Sequence, residues 1–205
     1  MKLLIATHNP AKIVEFKTFL QILNSKGIQI LTLKDLNIIE EPEETGETLA
    51  ANAELKARFY AEKAGFAVLA DDGGFEIATL NGEPGVKSNR WLGRKASDRE
   101  LIDYTLERMK NIPEEKRQAC LRLCLCYFNP VNNLMEKVEA KIEGFVAQIP
   151  SQQKLEGFPF RAVHIVSPFN KYYDELTLEE HAEANHRQKA VLEILPKILA
   201  DLLEK

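Results

Sequence analysis

Two adjacent carboxylates, Asp71 and Asp72, close the apolar run Phe66-Ala67-Val68-Leu69-Ala70 and are followed by Gly73 and Gly74. Acids at the end of a buried strand are costly unless a positive charge compensates them. A divalent cation would do so, and a carboxylate in that place could also accept a proton from an attacking water. The plain alternative is an Asp-Gly turn between two strands. A second acidic stretch, Glu43-Glu44-Thr45-Gly46 with Glu40 and Glu41 before it, could give oxygen ligands to a hard divalent ion or could simply be a solvated loop. Positive charge enters at Thr7-His8-Asn9-Pro10-Ala11-Lys12. A polar loop that opens a helix offers backbone N–H groups and the positive end of the dipole, and Lys12 adds a full charge, all of which favour an anion such as phosphate. The glycines of a Walker loop are missing, so a capped helix with a surface lysine also accounts for the segment. Asn185-His186-Arg187-Gln188-Lys189 surround another helix start, suited to an anion or a base edge or to solvent alone. There is no Ser/His/Asp arrangement with recognisable spacing and no dinucleotide glycine fingerprint.

These groups need elements to hold them. Residues 2–6 form a short apolar strand candidate, and Asn9 with Pro10 makes a helix start over residues 10–24, with Ile13, Phe16, Leu20 and Leu23 at helical spacing. Ile28 to Leu33 is a second strand. A helix runs from about Thr48 to Ala64, where Gly65 stops it. Residues 66–70 and 75–80 are two further strands, and Asn81-Gly82 and Pro84-Gly85 mark turns. Ser97 and Glu100 form a capping box, as do Thr177 and Glu180. The segments around Cys120–Phe128 and Lys137–Ile149 are the longest strands and are joined as a hairpin by Asn129-Pro130 and Asn132-Asn133. The last helix carries an apolar stripe of Val191, Ile194, Leu195, Ile198, Leu199 and Leu202, with Pro196 expected to kink it. His164, inside Ala-Val-His-Ile-Val, reads as a packed histidine, and Trp91 as a loop anchor. The pattern predicts a mixed α/β fold, a long central mixed sheet with flanking helices and a cleft between an N-terminal and a C-terminal half, with residues 1–205 acting as a single domain.

Composition narrows the function classes. The chain has 205 residues, 45% of them apolar, enough for a continuous core. No apolar run approaches a membrane span, and Thr7, His8 and Asn9 interrupt the N-terminal apolar stretch too soon for a secretory signal. A net charge of −4 makes a poor general nucleic-acid binder, so positive charge used on a phosphate must be local. The three cysteines, Cys120, Cys124 and Cys126, share one face of a strand and lack a second Cys/His cluster, which reads as reduced core thiols in a cytoplasmic protein without a membrane or nucleic-acid partner.

Taken in order, the segments ATHNPAK with Glu15, EETGETLAANAELKA, ADDGGFEIATLNGEPGVKSNRW, the YFNPVNN hairpin with its EGF, and ELTLEEHAEANHRQKA resemble the inosine triphosphate pyrophosphatase family from residue 3 to about residue 192. The aspartate pair and Asn81-Gly82-x-Pro84-Gly85-Val86 are the most specific part of the match. The resemblance implies Mg²⁺-dependent hydrolysis of non-standard purine nucleoside triphosphates to the monophosphate and pyrophosphate, in a homodimer with a two-lobed α/β fold, the two lobes around a nucleotide-binding cleft. It implies triphosphate contacts at Thr7, His8, Asn9, Lys12 and Lys56, metal ligation at Glu44 and Asp72, and proton acceptance at Asp72. It implies Phe158 beside the base and contacts to base or substrate at His186 and Arg187, with His181 at a further substrate-binding position.

The chain also departs from the family pattern. Gly73 stands where the family has a substrate-contacting serine, Ala51 replaces a glutamate, and His181 replaces a lysine. The base-side loop reads Gly157-Phe158-Pro159-Phe160-Arg161-Ala162, with Arg161 in place of an aspartate. Arginine only donates hydrogen bonds, so in the aspartate's place it would face the O6 and N7 acceptors of a 6-oxopurine; on a displaced loop it would meet phosphate or solvent. The retained Lys12, Glu44 and Asp72 favour an enzyme. The departures leave open a nucleotide-binding protein with little turnover or altered base choice.

Overall fold

A computed structural model describes residues 1–153 and 155–203. In chain order the main elements are β1 (Lys2–Ala6), α1 (Pro10–Phe19), α2 (Ile22–Ser25), β2 (Gln29–Thr32), α3 (Leu49–Ala64), β3 (Val68–Ile77), β4 (Pro84–Gly85), α4 (Asp98–Arg108), β5 (Gln118–Asn129), β6 (Leu134–Val146), β7 (His164–Val166), β8 (Lys171–Tyr172), α5 (Leu178–Ala184) and α6 (His186–Leu203). The fold is mixed α/β. An eight-stranded sheet runs in the order β2-β1-β3-β5-β6-β7-β8, and β4 pairs with β3. β1 is parallel to both β2 and β3, whereas β3–β4, β6–β7 and β7–β8 are antiparallel.

The chain divides into two compact units, Met1–Asp72 with Leu123–Ala140 and Arg187–Lys205, and Gly73–Arg122 with Lys141–His186. The first unit's core brings Leu3, Ile5, Phe16, Leu69 and Leu125 together with Val191, Ile194 and Ile198. The apolar stripe of the last helix is therefore its buried face, and α6 runs through Pro196 without ending. The second unit packs Phe75, Leu101, Ile142, Phe160, Val166 and Tyr173. His164 is wholly buried there. The three cysteines are buried and free, and burial pushes their thiols up to between about 11 and about 12.

Two expected elements come out differently. The helix expected over 10–24 is divided into α1 and α2, yet Leu20 and Leu23 both stay in the core, so the buried face is kept. The Asp-Gly segment is not a turn: β3 continues through Asp71-Asp72-Gly73-Gly74 as one strand of ten residues. Steric demand explains the glycine at 74. A Cβ there would collide with the backbone oxygen of Gly85 on β4, and the paired strands approach closely only because none is present.

Candidate active site

The first unit's site follows from strand register. β1 and β3 are parallel with Ile5 opposite Leu69 and Ala6 opposite Ala70, so the residues just past β1 lie beside Asp71 and Asp72. This is the carboxyl end of parallel strands, the usual location of ligand sites in open α/β sheets. The loop after β1 is tightly held. Thr7 Oγ1 accepts from the Asn9 N–H at 3.2 Å, and Asn9 Oδ1 accepts from the N–H groups of Ala11 at 2.9 Å and Lys12 at 3.2 Å. Asn9 is thus a true helix cap, and its carboxamide engages two of the N–H groups that an anion would otherwise meet. Lys12 reaches Asp71 Oδ2 at 2.8 Å. His8 is exposed, with its ring edge-on to Tyr60.

Helix α3 supplies the other side. Thr48 caps it by accepting from the Ala51 N–H, and this sets Asn52 and Lys56, one turn apart, on a single face. Both address Asp72: Asn52 Nδ2 donates to Oδ2 at 3.3 Å and Lys56 Nζ lies 2.6 Å from Oδ1. Lys56 Nζ is also 2.6 Å from Glu44 Oε1. The acidic loop is tied in by Asn52 as well, since its Oδ1 accepts from the Gly46 N–H at 2.8 Å. A Cβ on Gly46 would sit 2.5 Å from that oxygen, so the contact requires glycine.

Arg187, the second residue of α6, completes the cluster. Its guanidinium bonds Glu15 Oε2 at 2.6 Å and lies 3.4 Å from Asp71 Oδ2. Glu15 and Lys12 share a face of α1 at i,i+3. The result, among the described residues, is two charge chains, Glu15–Arg187–Asp71–Lys12 and Glu44–Lys56–Asp72. Burial pushes the Asp71 carboxyl up, but Lys12 and Arg187 outweigh it and hold the group at about 2. For Asp72 burial wins over the pull of Lys56, and Glu44 adds to it, so its carboxyl stands above the usual range. Burial alone would lower Lys56, but Asp72 and Glu44 prevail and keep it a firm cation.

The second unit gathers a different set of the expected residues. A short 3-10 turn, Pro159–Val163, carries Arg161, whose guanidinium centre lies 3.6 Å from the Phe158 ring centroid and 4.3 Å from that of Tyr173. The ring of His181 is edge-on to Tyr173 at 5.2 Å, and that of His186 at 6.2 Å. Arg161, His181 and His186 therefore converge on Tyr173, which is wholly buried, and Phe158 joins them through Arg161. Gly73 lies half-buried in β3. Sequence reading singled out the Asp71-Asp72 pair but gave a role to Asp72 alone, and it assigned none to Glu15, Asn52 or Tyr173. The i,i+4 spacing of Asn52 and Lys56 was the one local signal that could have flagged Asn52; Tyr173 had none.

The residues present fit a divalent cation. Glu44 and Asp72 converge on a single ammonium group, and Asp71 Oδ1 is buried without a hydrogen-bond partner among the described residues. Among the described residues there is no group of three or more His, Cys, Asp or Glu placed as a complete ligand set. Two protein carboxylates with water and phosphate oxygens are the usual complement for Mg²⁺, which seldom takes an all-protein cage.

A mixed parallel and antiparallel sheet that sets a carboxylate–lysine cluster beyond its parallel strand ends defines a class to which known proteins can be compared. The chain belongs to the Ham1 family, whose model matches residues 3–197. It is 37% identical to the dITP/XTP pyrophosphatase of Thermoanaerobacter sp. (strain X514) over all of both chains. Among solved structures, the Staphylococcus aureus Ham1 protein superposes with a TM-score of 0.82 at 26% identity, covering 98% of this chain and 100% of that one. The nucleoside-triphosphatase / dITP/XTP pyrophosphatase of Mycobacterium abscessus does so with a TM-score of 0.75 at 33% identity, covering 96% and 100%.

Proposed function

We propose that this chain hydrolyses non-standard purine nucleoside triphosphates, of the dITP and XTP kind, to the monophosphate and pyrophosphate with Mg²⁺, and that residues 1–205 act as one catalytic domain. The carrying observation is the charge cluster of the first unit. It brings Lys12 and Lys56, which can meet phosphate oxygens, together with Glu44 and Asp72, which can meet a divalent cation.

Glu44 and Asp72 are the residues that would hold the ion. When bound there, a divalent cation supplies charge neutralisation at phosphate oxygens and a lower pKa for a bound water. Lys12 and Lys56 would exchange their carboxylate partners for phosphate oxygens and hold the triphosphate in place, with Thr7 and Asn9 fixing the loop that carries Lys12. Asp72 is the candidate proton acceptor: it is a carboxylate at the end of the parallel strands, and Asn52 and Lys56 fix both of its oxygens. Most of the acceleration would come from positioning and charge stabilisation, as phosphoryl transfer requires. Arg187, tied to Glu15 and Asp71, is cast as the brace of this cluster. In the second unit Phe158, His181 and His186 are cast as the base side.

Among the described residues no helix is long and apolar enough to cross a membrane. A homodimer in the cytoplasm, its three thiols reduced, completes the proposal, and light scattering on the purified protein tests the dimer. The test of function is pyrophosphate release from a panel of deoxyinosine, inosine, xanthosine, guanosine and adenosine triphosphates. The expected result is release, dependent on a divalent ion, with the first three preferred. Binding of these nucleotides without release would support the alternative, a family member that has lost turnover.

A further inference from the structure

The second unit contains a three-layer stack of side chains that the cluster chemistry does not use. Phe158 and Arg161 stand three residues apart across the start of a 3-10 turn, where side chains at i and i+3 eclipse. The turn therefore sets the guanidinium centre over the Phe158 ring, 3.6 Å from its centroid, and the same group lies over the Tyr173 ring at 4.3 Å. Such contacts are face-on cation–π interactions, and burial strengthens them. Exposure falls off through the stack: Phe158 is half-buried, Arg161 only 4% exposed, and Tyr173 wholly buried.

An arginine this buried presents little surface to a ligand, whereas the ring in front of it does. One face of Phe158 is covered by the guanidinium, so the surface it offers lies away from Arg161. We propose that Arg161 is a positioning residue for purine binding: it pins the Phe158 ring from behind so that the ring can stack the base, and it does not read the base edge. The proposal rests on the pyrophosphatase reading and on Phe158 as the base-side aromatic residue.

A distinct expectation follows for selectivity. Stacking is indifferent to the exocyclic groups of a base, because every base has a π face. An arginine reading O6 and N7 would instead discriminate oxopurines from adenine. Pinning a ring in advance removes the cost of ordering it on binding, about 3- to 10-fold in affinity for one side chain. Loss of the pin should therefore raise KM by that factor for every purine alike and leave kcat nearly unchanged.

The test is steady-state kinetics with inosine, xanthosine, guanosine and adenosine triphosphates, on wild type, Arg161→Met, Arg161→Lys, Phe158→Ala and the double variant Phe158→Ala/Arg161→Met. Methionine keeps length and bulk but removes the planar cation; lysine restores the charge without the flat fork. The account expects a uniform rise in KM for Arg161→Met, partial recovery in Arg161→Lys, and no further rise when Arg161→Met is added to Phe158→Ala. A loss confined to 6-oxopurines, a fall in kcat with KM unchanged, a full additive effect in the double variant, or no change at all would each overturn it. If Arg161→Met does not fold, as circular dichroism would show, the lysine variant and its combination with Phe158→Ala decide the same question. Wild type that releases no pyrophosphate overturns the functional reading and this inference together; active wild type with unaltered variants overturns this inference alone.

Discussion

Replacing Asn52 by alanine probes the link between the acidic loop, helix α3 and Asp72. The side chain is 1% exposed and makes two directed bonds, from the Gly46 N–H at 2.8 Å and to Asp72 Oδ2 at 3.3 Å. The first is a well-formed neutral bond, with a net contribution of about 1 kcal/mol. The second goes to a charged acceptor but is long, which puts it near the lower end of the range, about 1.5 kcal/mol. Alanine removes both and leaves a part-buried N–H and a carboxylate oxygen short of a partner, so stability should fall by about 2 kcal/mol. Asp72 keeps its contact with Lys56, and with it its charge, but loses the bond that fixes its second oxygen. Misplacing a reacting group by a fraction of an ångström to 1 Å costs roughly 10- to 100-fold in rate, and kcat should fall by that amount. Asn52→Asp sharpens the test. It keeps the shape and the acceptor for Gly46, but turns the donor facing Asp72 into a like charge. Its kcat should fall below that of Asn52→Ala even if its stability loss is smaller. Urea unfolding gives stability, and continuous pyrophosphate release gives kcat. An Asn52→Ala protein that loses stability but keeps wild-type kcat would refute the claim that Asn52 orients Asp72.

Two further outcomes are expected. Asp72→Asn, nearly isosteric but unable to carry the charge, should remain folded and lose more than 90% of turnover, about 1.4 kcal/mol of barrier at the least; folded protein with a tenth or more of normal kcat would remove Asp72 from the mechanism. His164 is held neutral by burial, which pushes it down to about 4 against a slight opposing effect of the Ala119 backbone, while the unfolded chain titrates near 6.5. Its contribution is thus fully present above about pH 6.5 and is lost as pH falls toward 4, by about 2 kcal/mol between pH 7.5 and 5; urea midpoints should show that loss in wild type and a smaller one in His164→Leu.

Local features of the chain made much of this legible. Both capping boxes form as expected, at Ser97 with Glu100 and at Thr177 with Glu180. The apolar stripe of the last helix is its buried face. Asp72 and Lys12 were visible because charged groups at strand and helix ends carry a cost that suggests a purpose; Glu44 stood out within an acidic loop, and Lys56, in the middle of a helix, came only from the family resemblance. The remaining features depended on non-local contacts. Nothing near Asp71 in sequence indicates that Lys12 and Arg187 close on it from two different helices. The Asp-Gly segment imitates a hairpin turn, and only the approach of Gly85 on β4 reveals an extended strand. Arg161 stands out in sequence as a donor, but its burial between two rings is fixed by Tyr173, twelve residues on.

The central claim is that the carboxylate–lysine cluster splits a triphosphate into monophosphate and pyrophosphate with a divalent ion. The most direct test is product analysis after incubation with inosine triphosphate and Mg²⁺, with and without a chelator, by anion-exchange chromatography. The account predicts inosine monophosphate and pyrophosphate in equal amounts, with no diphosphate or orthophosphate, and no reaction in the chelator. Release of orthophosphate, or unchanged turnover after the metal is removed, would contradict it.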